Sequence, residues 1–328
     1  MRHLVIVGTR AGRARAAGIH ERLRAVMGDD TWMLLLDPSS AEIHALVRLN
    51  PGLRAVVVVG GDGTVNRVLR ALPVGSPPLA ILPAGTANDF ASALGVPPEW
   101  HEAAEVLRSG VLRHVDLLTV NGRPFVTCGG LGVAAEAADR VARWRHEWRG
   151  GNAGAGPGAS IGRTLVAVPA ARALGALGWI IYPLAAAREF LGPRRLPRLH
   201  LSCGGGTWES EALALLFSNQ PRFGGRFVGS PGAVHDDGWM DVCAIAAPKS
   251  RLGMFRVLAR TLQGRAAGLP EVWQARETRV TVESDQPVRF FGDGEILDVG
   301  TRFVVEVRPA ALRVLAPVAA QQAIREAM

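Results

Sequence analysis

A chain of 328 residues, 48% of them hydrophobic and with a mean hydropathy of +0.16, is long enough for two packed domains and too apolar to be disordered. Its 37 basic residues outnumber 29 acidic ones for a formal net charge of +8, and all but Lys249 are arginine, a side chain suited to phosphates. No long run of like charge is present, which argues against a nucleic-acid partner, and the widely spaced Cys128, Cys203 and Cys243 fit neither a disulfide framework nor a paired-cysteine metal site.

The N-terminal apolar run, LVIVG at 4–8, is too short for a signal peptide and reads as a buried strand, so a cytoplasmic protein with free thiols is expected. An Ala/Arg-rich helix ending near Gly28 should follow, then strand 32–37, helix 41–49, strand 55–60, helix 65–72 and strand 79–83. Unbroken apolar runs alternating with helical periods predict an α/β domain built on a parallel sheet covered on both faces. Near residue 115 the rhythm changes: short strands flank Asn121-Gly122, a hairpin signal, and strands resume at LHLSCGG, ALALLFSN, MDVCAIA, RVTVES, VRFFGDGE and RFVVEVR. A β-rich, mostly antiparallel second domain is expected from that series, with boundaries at 1–120 and 121–311 and a tail, 312–328, that could return to the first domain.

The middle section, 134–192, reads as helical. It holds a Gly-rich loop at 150–158 and a stripe of Val141, Trp144 and Trp148 at helical spacing, better suited to core packing than to a membrane surface. Its apolar segment 173–187 is shorter than the roughly 20 residues a spanning helix needs and contains Pro183, so it suits peripheral membrane contact rather than spanning.

Two loops carry the chemistry. In VVVVGGDGTVNR, 56–67, a buried strand runs into a glycine turn, where Gly60, Gly61 and Gly63 would let the backbone approach a phosphate and Asp62 is the single carboxylate present. A carboxylate beside phosphate repels it unless a cation or a transferable proton lies between them, so Asp62 points to Mg²⁺-nucleotide chemistry. The second loop, LPAGTANDF, again runs from strand to glycine turn to helix, with Gly85 and Thr86 ahead of Asn88 and Asp89, either of which could cap the helix. One glycine turn is weak; two adjacent ones at the same sheet edge indicate a nucleotide site.

Several other chemistries fail on single residues. A Walker A loop needs a lysine that the chain has only at 249, and the dinucleotide fingerprint needs glycine where Asn66 stands. The histidines show no zinc-hydrolase spacing. In VGSPGA, Pro231 removes the backbone N–H that an oxyanion hole beside Ser230 would use.

The matched pieces VVVVGGDGTVNRVLRAL, LPAGTANDFASALGVP, HVDLLTVNG, GGLGVAAEAA, FSNQPRFGGRFVGSPGAVHDDGWMDV and FFGDGE resemble, in order along nearly the whole chain, the diacylglycerol kinase catalytic-domain superfamily, which includes the sphingosine and ceramide kinases. The resemblance implies ATP held between two domains by Gly61, Asp62, Gly63, Thr64 and Asn66 with Gly85 and Thr86. It implies a structural Mg²⁺ at HDDGWMD, where Asp237 and Asp241, with a carbonyl such as that of Met240, are also spaced for one hard cation. It assigns the general base to the acidic pair of GDGE, Glu295 favoured and Asp293 close behind, and gathers Asp89 and Asp116 with Asp62 around a catalytic Mg²⁺.

The expected function is therefore an ATP-dependent lipid kinase acting on diacylglycerol or a related amphiphile. A same-superfamily kinase for a soluble alcohol and a non-catalytic nucleotide or lipid binder are its rivals, and a homodimer is compatible with each. Three departures from the family pattern stand out: Gly8-Thr9-Arg10 in place of Asn-Pro after the first strand, Arg226 after Gly224-Gly225, and a long stretch at 144–178.

Overall fold

The computed structural model describes residues 2–9, 18–28, 32–73, 75–85, 87–133, 135–136, 196–223, 227–262 and 265–318. Thr86, Gly224–Arg226, the Gly-rich loop, the tryptophan stripe, the apolar segment 173–187 and the tail beyond 318 lie outside the described residues. The chain divides into two compact units, one of residues 1–127, 234–240 and 306–328, the other of 128–233 and 241–305.

In the first unit, β1 (His3–Val7), β2 (Trp32–Leu36), β3 (Ala55–Gly60) and β4 (Leu79–Pro83) form a parallel sheet in the order β2-β1-β3-β4. Every residue of β1, β3 and β4 is buried, which is why these strands read as continuous apolar runs rather than alternating ones. Val7 pairs with both Leu36 and Val59, and Gly60 pairs with Pro83, so the strands end level. That register brings Gly8, Asp37, Gly61 and Gly85 to one carboxyl edge, where open α/β sheets bind ligands.

The helices of this unit start and stop on readable signals. The helix Ser40–Leu49 has a complete capping box, Ser39 with Glu42, and Ile19–Met27 ends at Gly28, which takes a positive φ of 68°. The helix Trp100–Ser109, not expected from the sequence, is anchored by its first residue: the Trp100 indole N–H donates to Pro83 O at 2.8 Å. The expected hairpin is present as β5 (Val111–Val120) and β6 (Arg123–Phe125), with Asn121 and Gly122 both at positive φ.

The second unit is β-rich and antiparallel. Its strands are β7 (Cys128–Gly132), β8 (Arg198–Cys203), β9 (Gly206–Ser218), β12 (Met240–Ala246), β13 (Val272–Glu277), β14 (Arg279–Gly292) and the 295–305 part of β15 (Glu295–Ala316), beside a small pair, β10 (Arg222–Phe223) and β11 (Phe227–Val228). They lie in the order β13-β12-β9-β7-β14, with β8 pairing both β9 and β14. β7 is rich in glycine because it is squeezed between β9 and β14: a Cβ on Gly130 would meet the carbonyl of Leu215. Buried Phe217, Phe290 and Phe303 stack through the core at ring separations of 5.9 and 5.6 Å.

RVTVES and VRFFGDGE, expected as separate strands, are one continuous strand, β14, and β15 is likewise longer than RFVVEVR. All three cysteines are free, Cys128 and Cys243 buried and Cys203 half-buried.

Candidate active site

At the carboxyl edge of the first unit's sheet the two glycine turns touch. A Cβ on Gly61 would lie 2.8 Å from the Gly85 Cα, and one on Gly85 would lie 2.5 Å from the Gly61 Cα, so both positions exclude any side chain. The Ala84 amide donates to Gly60 O at 2.9 Å, which locks the loops together.

The helix after β3 starts earlier than its composition suggests. It runs Asp62–Ala71, because Gly61 O accepts from the amides of Thr64 and Val65 at 2.9 and 3.1 Å. Asp62, Gly63 and Thr64 are thus first-turn helical residues rather than loop, with Asp62 at the positive end of the helix dipole. Gly63 is exposed, with nothing within 4 Å of where a Cβ would stand. Asn66 is buried one turn on, and the Thr64 side chain fills the space beside Gly60 and Gly8.

The second loop corrects an expectation. Asn88 makes no side-chain cap on the short helix Asp89–Ala93; it sits in the left-handed region and folds back on Gly85. There its Oδ1 accepts from the Gly85 amide at 2.9 Å and its Nδ2 donates to Gly85 O at 3.1 Å. The helix receives its carboxylate from the other loop: the Phe90 amide donates to Asp62 Oδ1 at 3.2 Å. Burial pushes the Asp62 carboxyl above its usual range, opposed by the amides of Phe90, Asp89 and Asn88. A cation beside this carboxyl would offset the cost that desolvation puts on its charge.

Beside these loops, Asp37 follows β2 at positive φ and accepts from the Thr9 amide at 3.2 Å, from the Thr9 hydroxyl, and from Arg67 Nη2 at 3.1 Å. Burial pushes its carboxyl up, but the Thr9 and Arg67 hydrogen bonds outweigh that and hold it below the usual range. Gly8-Thr9 is therefore built into the edge: glycine admits Thr64, and threonine ties β1 to Asp37.

A second acidic group of this unit surrounds the segment 234–240. Asp116 is buried; its Oδ2 accepts from the Gly238 amide at 2.6 Å and its Oδ1 from the Ala310 amide at 2.8 Å, while its own amide donates to His235 O at 2.8 Å. Buried Arg113 pairs with Asp236 at 2.7 Å, and Asp237 Oδ1 accepts from the Trp239 amide at 2.9 Å. Burial pushes the His235 imidazole below its usual range. Arg113, His235 and Asp236 were not singled out in the sequence, because the pair that fixes them spans 123 positions.

In the second unit, Asp293 and Gly294 form the two-residue turn between β14 and β15, both at positive φ, and the Asp293 amide donates to Cys128 O at 2.9 Å. Asp293 is half-buried and Glu295, at the start of β15, is exposed. Asp241 is half-buried with Arg276 Nε at 3.9 Å; Met240, the last residue of the first unit's segment 234–240, is fully buried at the start of β12.

Residues 2–120 match the model of the diacylglycerol kinase catalytic domain, and residues 158–316 match that of the YegS C-terminal NAD kinase beta sandwich-like domain. A Pseudomonas aeruginosa protein named "Probable lipid kinase YegS-like" is 32% identical over 330 residues, covering 96% of this chain and 93% of its own. The chain belongs to the diacylglycerol kinase catalytic-domain superfamily. A Stenotrophomonas maltophilia protein of the same name is 27% identical over 93% of the chain and 90% of its own. In fold, this kinase is similar to a Bacillus anthracis structure at TM-score 0.73 and 20% identity, covering 97% and 96% of the two chains. A structure described as a diacylglycerol kinase from the same organism follows at 0.66, 18%, 97% and 98%.

Of the residues expected at the kinase's site, the structure brings Gly60, Gly61, Asp62, Gly85, Asn88 and Asp89 into one loop pair. Asp116 and Asp237 stand in the 234–240 group, and Asp293 and Glu295 at the turn of the other unit. Among the described residues no group of three or more His, Cys, Asp and Glu side chains is assembled as a metal centre.

Gly85→Ala tests the loop pair directly. The new methyl would press on Gly61 Cα and on Asn88 Oδ1, 2.8 Å away, and neither is the free end of a flexible chain. A loss of roughly 1–3 kcal/mol in unfolding free energy is expected. A denaturant midpoint equal to that of the unmodified chain would show that the loops part without cost.

Proposed function

We propose that this kinase transfers the γ-phosphate of ATP to the hydroxyl of a lipid, diacylglycerol or a related amphiphile. The observation that carries the reading is the contact of two Cβ-free turns with one half-buried carboxyl, Asp62, at their junction, its acidity weakened by desolvation. Gly61 and Gly85 let the two turns close on each other, and Gly63, with open space where a Cβ would stand, leaves room for the phosphates, whose charge the amides at the start of the helix Asp62–Ala71 favour. Thr64 and Asn66 line the same turn, and Thr86 belongs to the second loop.

Mg²⁺ fits the donor set at Asp62, because a carboxyl that burial drives toward its protonated form becomes a stable anion beside a divalent cation. When bound there it would offset the charge on the phosphates as they react. Asp89 stands on the same loops to support that site through water, and Asp237, Asp241 and the Met240 carbonyl would hold a second, structural ion. Asp116 serves that turn by accepting its Gly238 amide.

Glu295, with Asp293 as the alternative, accepts the proton of the acceptor hydroxyl. The hydroxyl oxygen then bonds to the γ-phosphorus as the bond to the β–γ bridging oxygen breaks. The lipid acceptor is supported by the names of relatives that match nearly end to end.

The test is transfer of labelled γ-phosphate from Mg-ATP in mixed micelles containing diacylglycerol, sphingosine, ceramide or no lipid, with Glu295→Gln and Asp293→Asn alongside. Label should enter one lipid, and one of the two variants should lose it by about 10²–10⁴-fold. Turnover of ATP with no lipid labelled would move the acceptor to a soluble alcohol.

A further inference from the structure

From Val242 to Pro270 the chain carries Lys249, Arg251, Arg256, Arg260 and Arg265 and not one aspartate or glutamate. Its centre is the helix Arg251–Leu262 of the second unit. Val257 is buried and Met254 packs on the apolar cluster formed by Leu213, Leu216, Cys243, Ile245 and Phe291, so these residues seat the helix. At 3.6 residues per turn, the opposite side presents Leu252, Phe255, Arg256 and Arg260. Leu252 is 78% exposed and Phe255 63%, an inverted pattern in which two large apolar side chains of a seated helix face outward.

The charges around them are one-sided. Lys249, Arg256, Arg260 and Arg265 are all exposed. Arg256 pairs with Glu271 at 2.6 Å, whereas Lys249, Arg260 and Arg265 have no acidic partner among the described residues.

We infer that this helix face docks the protein on a bilayer surface bearing anionic headgroups. Such a surface takes both features at once: Leu252 and Phe255 enter the boundary of the acyl chains, and the cations meet the headgroups. A nucleic acid would use the cations and leave the two apolar side chains in water. A second copy in a twofold contact would set the cations of one face against their own duplicates. The inference goes beyond the proposed reaction. Binding to vesicles is read without nucleotide, so failure of either leaves the other standing.

The experiment is co-sedimentation of the full chain with phosphatidylcholine vesicles, with and without about one third phosphatidylglycerol, at low and raised salt. Partition should require the anionic lipid and weaken with salt. Lys249→Gln with Arg260→Gln should lower it about 25-fold, roughly fivefold for each cation. Leu252→Ser with Phe255→Ser should lower it by about tenfold or more at every salt concentration, with little change in the unfolding midpoint, since most of both side chains stays in water until docking. Arg48→Gln, an exposed cation of the other unit, should leave it unchanged.

If the lipid acceptor is right, the apolar pair should slow labelling of acceptor in vesicles while leaving labelling in micelles at the unmodified rate. Equal vesicle binding by both double variants overturns the inference. So does loss confined to the charge pair and reversed by added nucleic acid, or a dimer in vesicle-free solution that the apolar pair abolishes.

Discussion

Asp62→Asn is expected to lower phosphoryl transfer on the order of 10³-fold while raising the thermal midpoint at neutral pH. The two effects have one cause. Asp62 is half-buried at the junction of the two loops, and desolvation raises its carboxyl more than the amides of Phe90, Asp89 and Asn88 lower it. A carboxyl that holds its proton more tightly folded than unfolded takes up a proton on folding. It therefore subtracts stability above the unfolded value of about 4, and the penalty fades as pH falls through that value. Asparagine keeps the oxygen that accepts from Phe90 and removes the charge. The variant should gain in thermal midpoint at pH 7 and lose that gain at acid pH. Mg-ATP should stabilise the unmodified chain more than the variant, because only the carboxylate gains from the cation. If the variant retained full activity, Asp62 would have no part in the chemistry; if it were less stable at every pH, the carboxylate would be a plain helix cap.

The parallel sheet was legible for a simple reason. Strands buried on both faces leave no polar register to blur them, so LVIVG, AVVVVG and LAILP fall within a residue of β1, β3 and β4. The hairpin at Asn121-Gly122 was legible because its turn demands positive φ at both residues. What the sequence hid lies across space. Gly-Gly-Asp-Gly-Thr reads as a turn because Gly63 disfavours a helix by about 1 kcal/mol, yet the helix begins at Asp62, held by Gly61 O and by packing of Val65, Val68 and Leu69. Asn88 has the composition of a cap and folds back on Gly85 instead, since Asp62 supplies the cap from 28 positions away. The helix Arg251–Leu262 escaped because Leu252 and Phe255 face outward and smear the apolar period. Arg113 with Asp236 could not be paired by any local rule.

Asp116→Asn should be nearly as damaging as Asp116→Ala, against the usual mildness of an isosteric change. Both carboxylate oxygens are acceptors for backbone amides, Oδ2 for Gly238 and Oδ1 for Ala310. An asparagine has one acceptor oxygen and one NH₂, so either flip sets a donor against a donor in a buried site. The loss of one charge-assisted bond and the orphaning of one amide together are worth about 3 kcal/mol. The damage should also be local and visible: hydrogen exchange at Gly238 and Ala310 should quicken well before global unfolding. Activity should fall as well, since the segment that Asp116 holds carries Asp237 into the turn that precedes Asp241. Chelation separates this clamp from direct metal ligation. A clamp gives the same loss of stability with chelator as with Mg²⁺, whereas a ligand gives a loss that vanishes once the unmodified chain is stripped of its ion. An Asn variant as stable as the unmodified chain, with both amides still protected, would show that 235–240 and 306–316 are held to β5 by something other than this carboxylate.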